Sequence, residues 1–562
     1  MKKLSMRKEL VPVSNVGLAV ERIGKSMSGE KFAEIKLKAF DDVQVSAFSV
    51  GRLGSDEPTE FFDWLVAQGV PMLNKERVAL KAELARQLKK ELKSYADGEK
   101  AYASVVDSRG WSGMVFATKY AAHAPKSCQL MIAAKYAVAN DNAELEMSMG
   151  SICDYYKSYG RNNALFKFVV SFGFLPPLLN VMKDCAQPLF LLVGPIHCGK
   201  SSLLHVAAAP WGGDPSGPLG YLTSLSATET AVEIASMGHR DMLFALDDTQ
   251  GLPPDPRRRA LALTDVFFRI HSGRTRGRYN ERPVDYRNGT LTASNHSMPA
   301  IMAAGGIEYS DALRDRVFEL PCYYAHGALK SVPIDETTDR FVRSMKSEAI
   351  AMRGAAGERF IERLVRANAT APRSLRKKLE AWREMAHRAL GARVSPRAAD
   401  AFACVFVAGC LANEYGILPW SPERLLTQVK DVFDDHVRFT QGELVRLDPV
   451  RVLKQYIRKK AARFAVVRAG TTKPMSLKAV KKTLGIKYHK PDGSIEYCFL
   501  REQMDKAFKD AIHGEFAISA LKAEGMLKLD RDGRAPKRKF CAERQRFLCI
   551  DAKSVRARKA KK

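Results

Sequence analysis

Residues 189–202, LFLLVGPIHCGKSS, constrain this chain more than any other stretch. The apolar run Leu189–Val193 predicts a short buried strand. Gly194, Pro195, Ile196, His197, Cys198, Gly199, Lys200 and Ser201 then satisfy G-x-x-x-x-G-K-[ST] at every fixed position. A helical pattern follows over 202–209, and Pro210 stops it. Strand, tight turn and helix in that order turn backbone N–H groups and a helix N-terminus toward an anion. The spacing predicts an ATP site in which residues 194–202, through Ser202, cradle the phosphates. Lys200 reaches the β/γ-phosphates, and the Ser201 hydroxyl holds Mg²⁺.

Two later strands complete that expectation. Residues 242–248, MLFALDD, are an apolar run ending in two carboxylates, the pattern of a buried parallel strand whose C-terminal end faces a nucleotide. Asp247 is then a second Mg²⁺ partner, and Asp248 orients and polarises the attacking water. Residues 290–295, TLTASN, form a further strand whose last residue, Asn295, is placed to touch the γ-phosphate and that water. Arg314 and Arg316 follow within ALRDRVFEL. An arginine at that distance past such a strand suits an arginine finger, which stabilises transition-state charge on a neighbouring subunit's nucleotide. Both stay candidates, with Arg316 preferred.

Charge is uneven. The chain carries +28 over 562 residues, yet residues 451–562 hold 31 Lys/Arg against 11 Asp/Glu, a net of +20. Such a segment predicts nucleic acid as partner, with an anionic membrane surface as the weaker alternative. Within it Lys537, Arg538 and Lys539 are candidate DNA contacts, and 527–529 and 547–550 are read as a hairpin with a turn near Arg531, Asp532 and Gly533. Arg274, Arg276 and Arg278, interleaved with Tyr279 and Tyr286, form a second basic stretch ahead of Asn295, read as a hairpin that grips a single strand. Ten scattered cysteines without a C-x-x-C pair read as free thiols of a reducing cytosol rather than a disulfide or zinc framework. The start MKKLSMRKEL has no apolar core behind it, so no secretory signal is expected, and a cytoplasmic location is. The apolar run 165–182 is interrupted by Lys167 and two prolines and reads as a buried helix, not a membrane span.

Composition and periodicity divide the chain into four regions. Residues 1–105 are read as an N-terminal α+β domain, with strands over 32–40 and 43–50 and a helix carrying Leu80, Leu84, Leu88 and Leu92 on one stripe. Residues 106–335 are the nucleotide core, with a strand near Trp111 and helices over 131–139 and 164–172. Residues 336–445 are helical, with a linker over 363–376, and form a lid in which Arg397 senses the phosphates. Residues 446–562 combine three helices with a basic hairpin, read as winged-helix-like, and end in a Lys/Arg-rich tail.

Between Ser108 and Trp420 the chain resembles a helicase-like domain of unknown function carried by bacterial mobile genetic elements. RGWSGMVFA, GPIHCGKSSLL, ATETAVEIA ahead of LFALDDTQ, HSGRTRGR and AADAFACVFVAGCLANEYGILPW carry the likeness. The resemblance implies an α/β fold with an AAA+ P-loop ATPase core, similar to the self-loading, MCM-like and superfamily 3 replicative helicases. It implies an ATP- and Mg²⁺-dependent DNA helicase or translocase in DNA replication, a homo-hexameric ring with single-stranded DNA inside and duplex at the C-terminal domain. One departure is that the family's usual Asp-Glu is Asp247-Asp248 here. An AAA+ loader or regulator that remodels nucleoprotein without unwinding is the first rival. A small-molecule P-loop kinase is the second, and the paired arginines and basic C-terminal region count against it.

Overall fold

The computed structural model describes residues 16–26, 29–39, 42–55, 57–70, 72–133, 148–182, 184–212, 222–224, 229–247, 253–275, 285–391, 393, 395–441, 449–470, 475–508, 517–518, 521–522, 524–530, 534–538, 540 and 545–555. Asp248, Arg276, Arg278, Tyr279 and Lys539 lie outside them.

The N-terminal region is a mixed five-stranded sheet. Its strands are β1 (Val16–Lys25), β2 (Lys31–Ala39), β3 (Asp42–Ser49), β4 (Ala103–Val106) and β5 (Leu130–Ile132), in the order β3-β2-β1-β4-β5. The first three are antiparallel neighbours, while β4 joins β1, and β5 joins β4, in parallel. Helix α1 (Asn74–Ala96) covers one face with Leu84, Leu88 and Tyr95, and the Tyr95 hydroxyl accepts the Ile23 amide at 3.0 Å. The expected helix over 131–139 is not observed where it can be judged, because Met131 is in strand β5. A three-residue apolar run reads the same in a buried strand as in a helix, and here its neighbour β4 captures it.

Helices α2 (Met149–Tyr159) and α3 (Ala164–Gly173) lead to a second, all-parallel sheet. It contains β6 (Leu189–Val193), β7 (Leu222–Ser224), β8 (Leu243–Asp247), β9 (Gly289–Ser294) and β10 (Val317–Pro321), ordered β7-β8-β9-β6-β10. Every residue of β6, β9 and β10 is buried; β6 reads as an apolar run, whereas β9 buries Thr290, Thr292 and Ser294 and β10 buries Glu319. Alternation along β6 divides the core. Phe190 meets Phe168 and Phe172 of α3, with ring centroids 5.1 Å apart in both pairs. Leu189, Leu191 and Val193 join the opposite cluster with Leu263 and Phe267. Those two belong to α5 (Pro256–Ser272); α4 (Lys200–Ala208) follows β6 directly.

Five helices follow: α6 (Thr338–Ala351), α7 (Ala355–Thr370), α8 (Pro372–Leu390), α9 (Pro396–Glu414) and α10 (Pro422–Thr440). The expected linker over 363–376 is absent. Its arginines line the outer faces of α7 and α8, and only Ala371 leaves helical geometry, with Pro372 starting the next helix. Helix α9 is buried on all sides from Ala401 to Ala412.

Two of the three helices expected in the C-terminal region are present, Leu477–Lys482 and Arg501–Phe508, but strands that the reading of three helices plus a hairpin did not include join them. Helix α11 (Pro449–Lys460) precedes a five-stranded mixed sheet of β11 (Ala465–Arg468), β12 (Ile486–His489), β13 (Ile495–Phe499), β14 (Leu527–Lys528) and β15 (Leu548–Asp551), ordered β11-β12-β13-β15-β14. The anticipated β14–β15 pairing is present, Leu527 opposite Ile550. Strands β12 and β13 are short and carry Lys487, His489 and Glu496 among their apolar residues, and β11 is a four-residue run, AVVR. No helix among the described residues is long and apolar enough to cross a membrane.

Candidate nucleotide site

The parallel sheet gathers the predicted residues at the C-terminal ends of three neighbouring strands. Residues 194–199 turn directly from β6 into α4. Gly199 has φ 94° as it enters the helix, and a Cβ on Gly194 would lie 2.8 Å from the Cys322 Cβ and 2.9 Å from the Cys198 sulfur. Both positions therefore require glycine. The segment after β10 buttresses the loop from behind: the Ala328 amide donates to the Cys198 carbonyl at 2.7 Å. Burial pushes the Cys198 thiol up, but its hydrogen bond to Cys322 and the Lys200 charge outweigh this and hold it at about 7.

Lys200 is 7% exposed. Its Nζ donates to the Gly194 and Pro195 carbonyls at 2.8 and 2.7 Å and to Asn295 Oδ1 at 3.1 Å. The Cys198 sulfur is a fourth neighbour at 3.7 Å, and among the described residues no carboxylate pairs with the ammonium, so an incoming phosphate has a positive centre ready to exchange those bonds for. Asn295 is within reach because β9 lies beside β6, with Ser294 opposite Val193. The Ser201 hydroxyl donates to Asp247 Oδ1 at 3.2 Å. A hydroxyl and a carboxylate in contact are an oxygen-donor pair suited to Mg²⁺, which takes few protein ligands and keeps waters.

These groups line a cavity of about 570 Å³, a size that fits a nucleotide. Its far wall was not anticipated. Asp339, Arg343 and Lys346 come from α6, on one helical face at i, i+4 and i+7. Arg343 pairs with Asp339. That spacing was readable once α6 was taken as a helix facing the loop. Arg397 is not among the lining residues. Its charge acts instead on His271, whose pKa falls to about 4, mainly through burial and then through Arg316 and Arg397.

Arg314 and Arg316 lie at the other edge of the sheet. Val317 pairs with Leu189, the first residue of β6, whereas the phosphate-binding loop follows its last. Arg314 Nη1 donates to Asp311 Oδ1 at 2.5 Å, and its guanidinium stands 5.3 Å from the Tyr309 ring centre. Arg316 Nη1 donates to the Ala312 carbonyl at 2.6 Å and stands over Phe268 at 5.2 Å. Neither shares the cavity with Lys200 of its own chain.

The basic stretches divide as well. Arg274 and Asp285 form an antiparallel bridge, with Nε to Oδ1 at 3.4 Å, so the residues between them leave and return at one point. Tyr286 is 4% exposed and belongs to the core rather than to a stacking surface. Lys537–Arg538 pairs with Gln545–Arg546 as a small hairpin. Lys537 is exposed, but Arg538 donates to the buried Glu496 at 3.2 Å, beside Lys528 at 2.7 Å and Lys490 at 3.1 Å.

Five parallel strands with helices on both faces, and a glycine-bounded loop leading from β6 into α4, define an α/β fold. Two comparisons are consistent with this class. The family described as a domain of unknown function, DUF927, matches residues 20–283. That match takes in much of the N-terminal sheet and ends before Asn295. In overall fold the chain is similar to a solved structure described as SCCmec type IV Cch, an active helicase. The TM-score is 0.54 at 13% identity, over 96% of this chain and 94% of that one. No curated protein matches the chain in sequence.

Proposed function

We propose that this chain is an ATP-driven DNA helicase or translocase of a mobile genetic element, working in replication as a homo-hexameric ring. The observation that carries the reading is the buried Lys200, bonded to Asn295 and, among the described residues, paired with no carboxylate, beside the Ser201–Asp247 pair at the C-terminal ends of the parallel strands. In this reading residues 106–335 are an AAA+ core, 336–445 a helical lid, and 446–562 a winged-helix-like domain, elaborated by extra strands, that docks on duplex DNA. The N-terminal α+β domain reaches past residue 105, because β5 (Leu130–Ile132) pairs with β4 in its sheet. Residues 194–202 hold ATP, Lys200 neutralises the transferring phosphoryl group, and Ser201 with Asp247 carries Mg²⁺. Asp248 and Asn295 align the attacking water. Arg314 or Arg316 acts on the next subunit's nucleotide, which suits their position at the opposite edge of the sheet. The basic residues around 274–278 track one strand. The overall likeness to a protein described as an active helicase supports the motor reading over the kinase one.

Lys200→Ala tests the site. It removes the cation at the transferring phosphate, so ATP hydrolysis should fall by about 10³ or more, with an unchanged thermal unfolding midpoint. ATP turnover at the parental rate in the variant would overturn the assignment.

A further inference from the structure

The turn joining α2 to α3 and the first turns of α10 enclose a cavity of about 830 Å³ that shares no lining residue with the nucleotide site. Lys157, Arg161, Lys167 and Arg424 line it against one carboxylate, Asp154, with Trp420 as a wall. Lys167 is the unusual member. It is 9% exposed, and its helix neighbours Leu165, Phe166, Phe168 and Val169 are all buried and apolar. Its Nζ donates to Gln428 Oε1 at 3.3 Å and lies 5.9 Å from the Trp420 ring centre. Among the described residues none of the four cations forms an ion pair. Burial, and then the Arg424 charge, lower the Lys167 pKa, and the Asp431 carboxylate offsets this only in part.

A leucine or methionine would fill this helix position without burying a charge. What the position gains is a buried donor with unused N–H bonds at the base of a pocket whose rim adds three exposed cations. Lys167 and Arg424 stand in the first turns of α3 and α10, so the positive ends of two helix dipoles reinforce the same field. Clustered Lys and Arg with charge-assisted donors match the tetrahedral oxygens of a phosphate. We propose that this cavity is a second anion site, taking a phosphate group carried either by a free nucleotide or by a single nucleic-acid strand.

The test is calorimetric titration of the full chain with two probes, pyrophosphate and a thymidine oligonucleotide. Wild type is compared with the Arg161→Ala/Arg424→Ala double variant and with Lys167→Met. The nucleotide loop is identical in all three, so any difference reads this cavity, whatever the fate of the motor reading. Removing two charge-assisted contacts should weaken at least one probe by about tenfold or more. Weakened pyrophosphate binding assigns a free nucleotide, and weakened oligonucleotide binding alone assigns a strand. Equal affinities of wild type and double variant for both probes would overturn the proposal. Both arginines are exposed, so the double variant decides the matter even if Lys167→Met does not fold.

Discussion

Whether one subunit completes the next subunit's site can be read from a mixture of two inactive chains. Val317, next to Arg316, pairs with the first residue of β6, and the phosphate loop follows its last. Five residues at about 3.3 Å each separate them by about 16 Å along the strand, more than the reach of an arginine side chain. An arginine acting on ATP from that edge must therefore act on another chain. A finger contributes about 10³–10⁵ in rate, so Arg316→Ala and Lys200→Ala should each be nearly inactive alone. In an equimolar mixture of randomly assembled rings, about one interface in four joins an intact Lys200 to an intact Arg316. The mixture should then hydrolyse ATP at up to about a quarter of the parental rate in a coupled phosphate-release assay. The same logic holds for Arg314→Ala if that residue is the finger. Impaired single variants whose mixture stays inactive, with protein remaining monomeric in ATP and DNA, would refute the ring reasoning.

Two further outcomes follow from particular side chains. Lys537→Ala should reduce the slope of log affinity against log salt on duplex DNA by about 0.9 with little change in stability. Arg538→Ala should instead lower the unfolding free energy by about 1–3 kcal/mol, because it withdraws a partner from buried Glu496; the reverse pattern in salt titrations and calorimetry would contradict this. Burial raises Glu319 to about 7, so the folded state favours its protonated form, and its contribution is fullest below about 4.5 and is lost as pH rises through 7. Glu319→Gln should therefore stabilise the chain at pH 8, on the order of 3 kcal/mol, and the gain should vanish near pH 4.5. Buried His239 and His436, both held near 4, act oppositely in parent and variant alike, losing stability as pH falls from 6.5 toward 4. Calorimetric midpoints that keep the same offset between the two chains at both pH values would contradict the assignment.

The phosphate loop, β6 and β8 were legible because burial on both faces leaves mostly apolar residues ahead of fixed turn chemistry. Leu189–Val193 and its phosphate loop stand where the sequence puts them, and the carboxylate and amide at 247 and 295 converge because their strands flank one another. Strand order itself was not readable; it brings Asn295 rather than Asp247 beside Lys200. The α6 wall was missed because Asp339, Arg343 and Lys346 look like any solvated helix face until tertiary packing turns it inward. Arg397 was misplaced for the same reason: its helix packs on Phe190 through Phe402, and Arg397 itself acts on His271 beside Arg316 rather than lining the phosphate cavity. In the C-terminal region, charge concealed short strands, and Arg538 looked like a DNA contact because nothing local announces a buried carboxylate forty-two residues away.

The central claim is that ATP turnover at Lys200 drives movement along DNA. Strand displacement on a forked duplex measures this directly, with the full chain, Mg²⁺ and ATP, and with Lys200→Ala and a non-hydrolysable ATP analogue as controls. The account predicts unwinding by the parent chain with ATP and none in either control. Vigorous DNA-stimulated ATP hydrolysis with no strand released from either a 5′- or a 3′-tailed fork would contradict it.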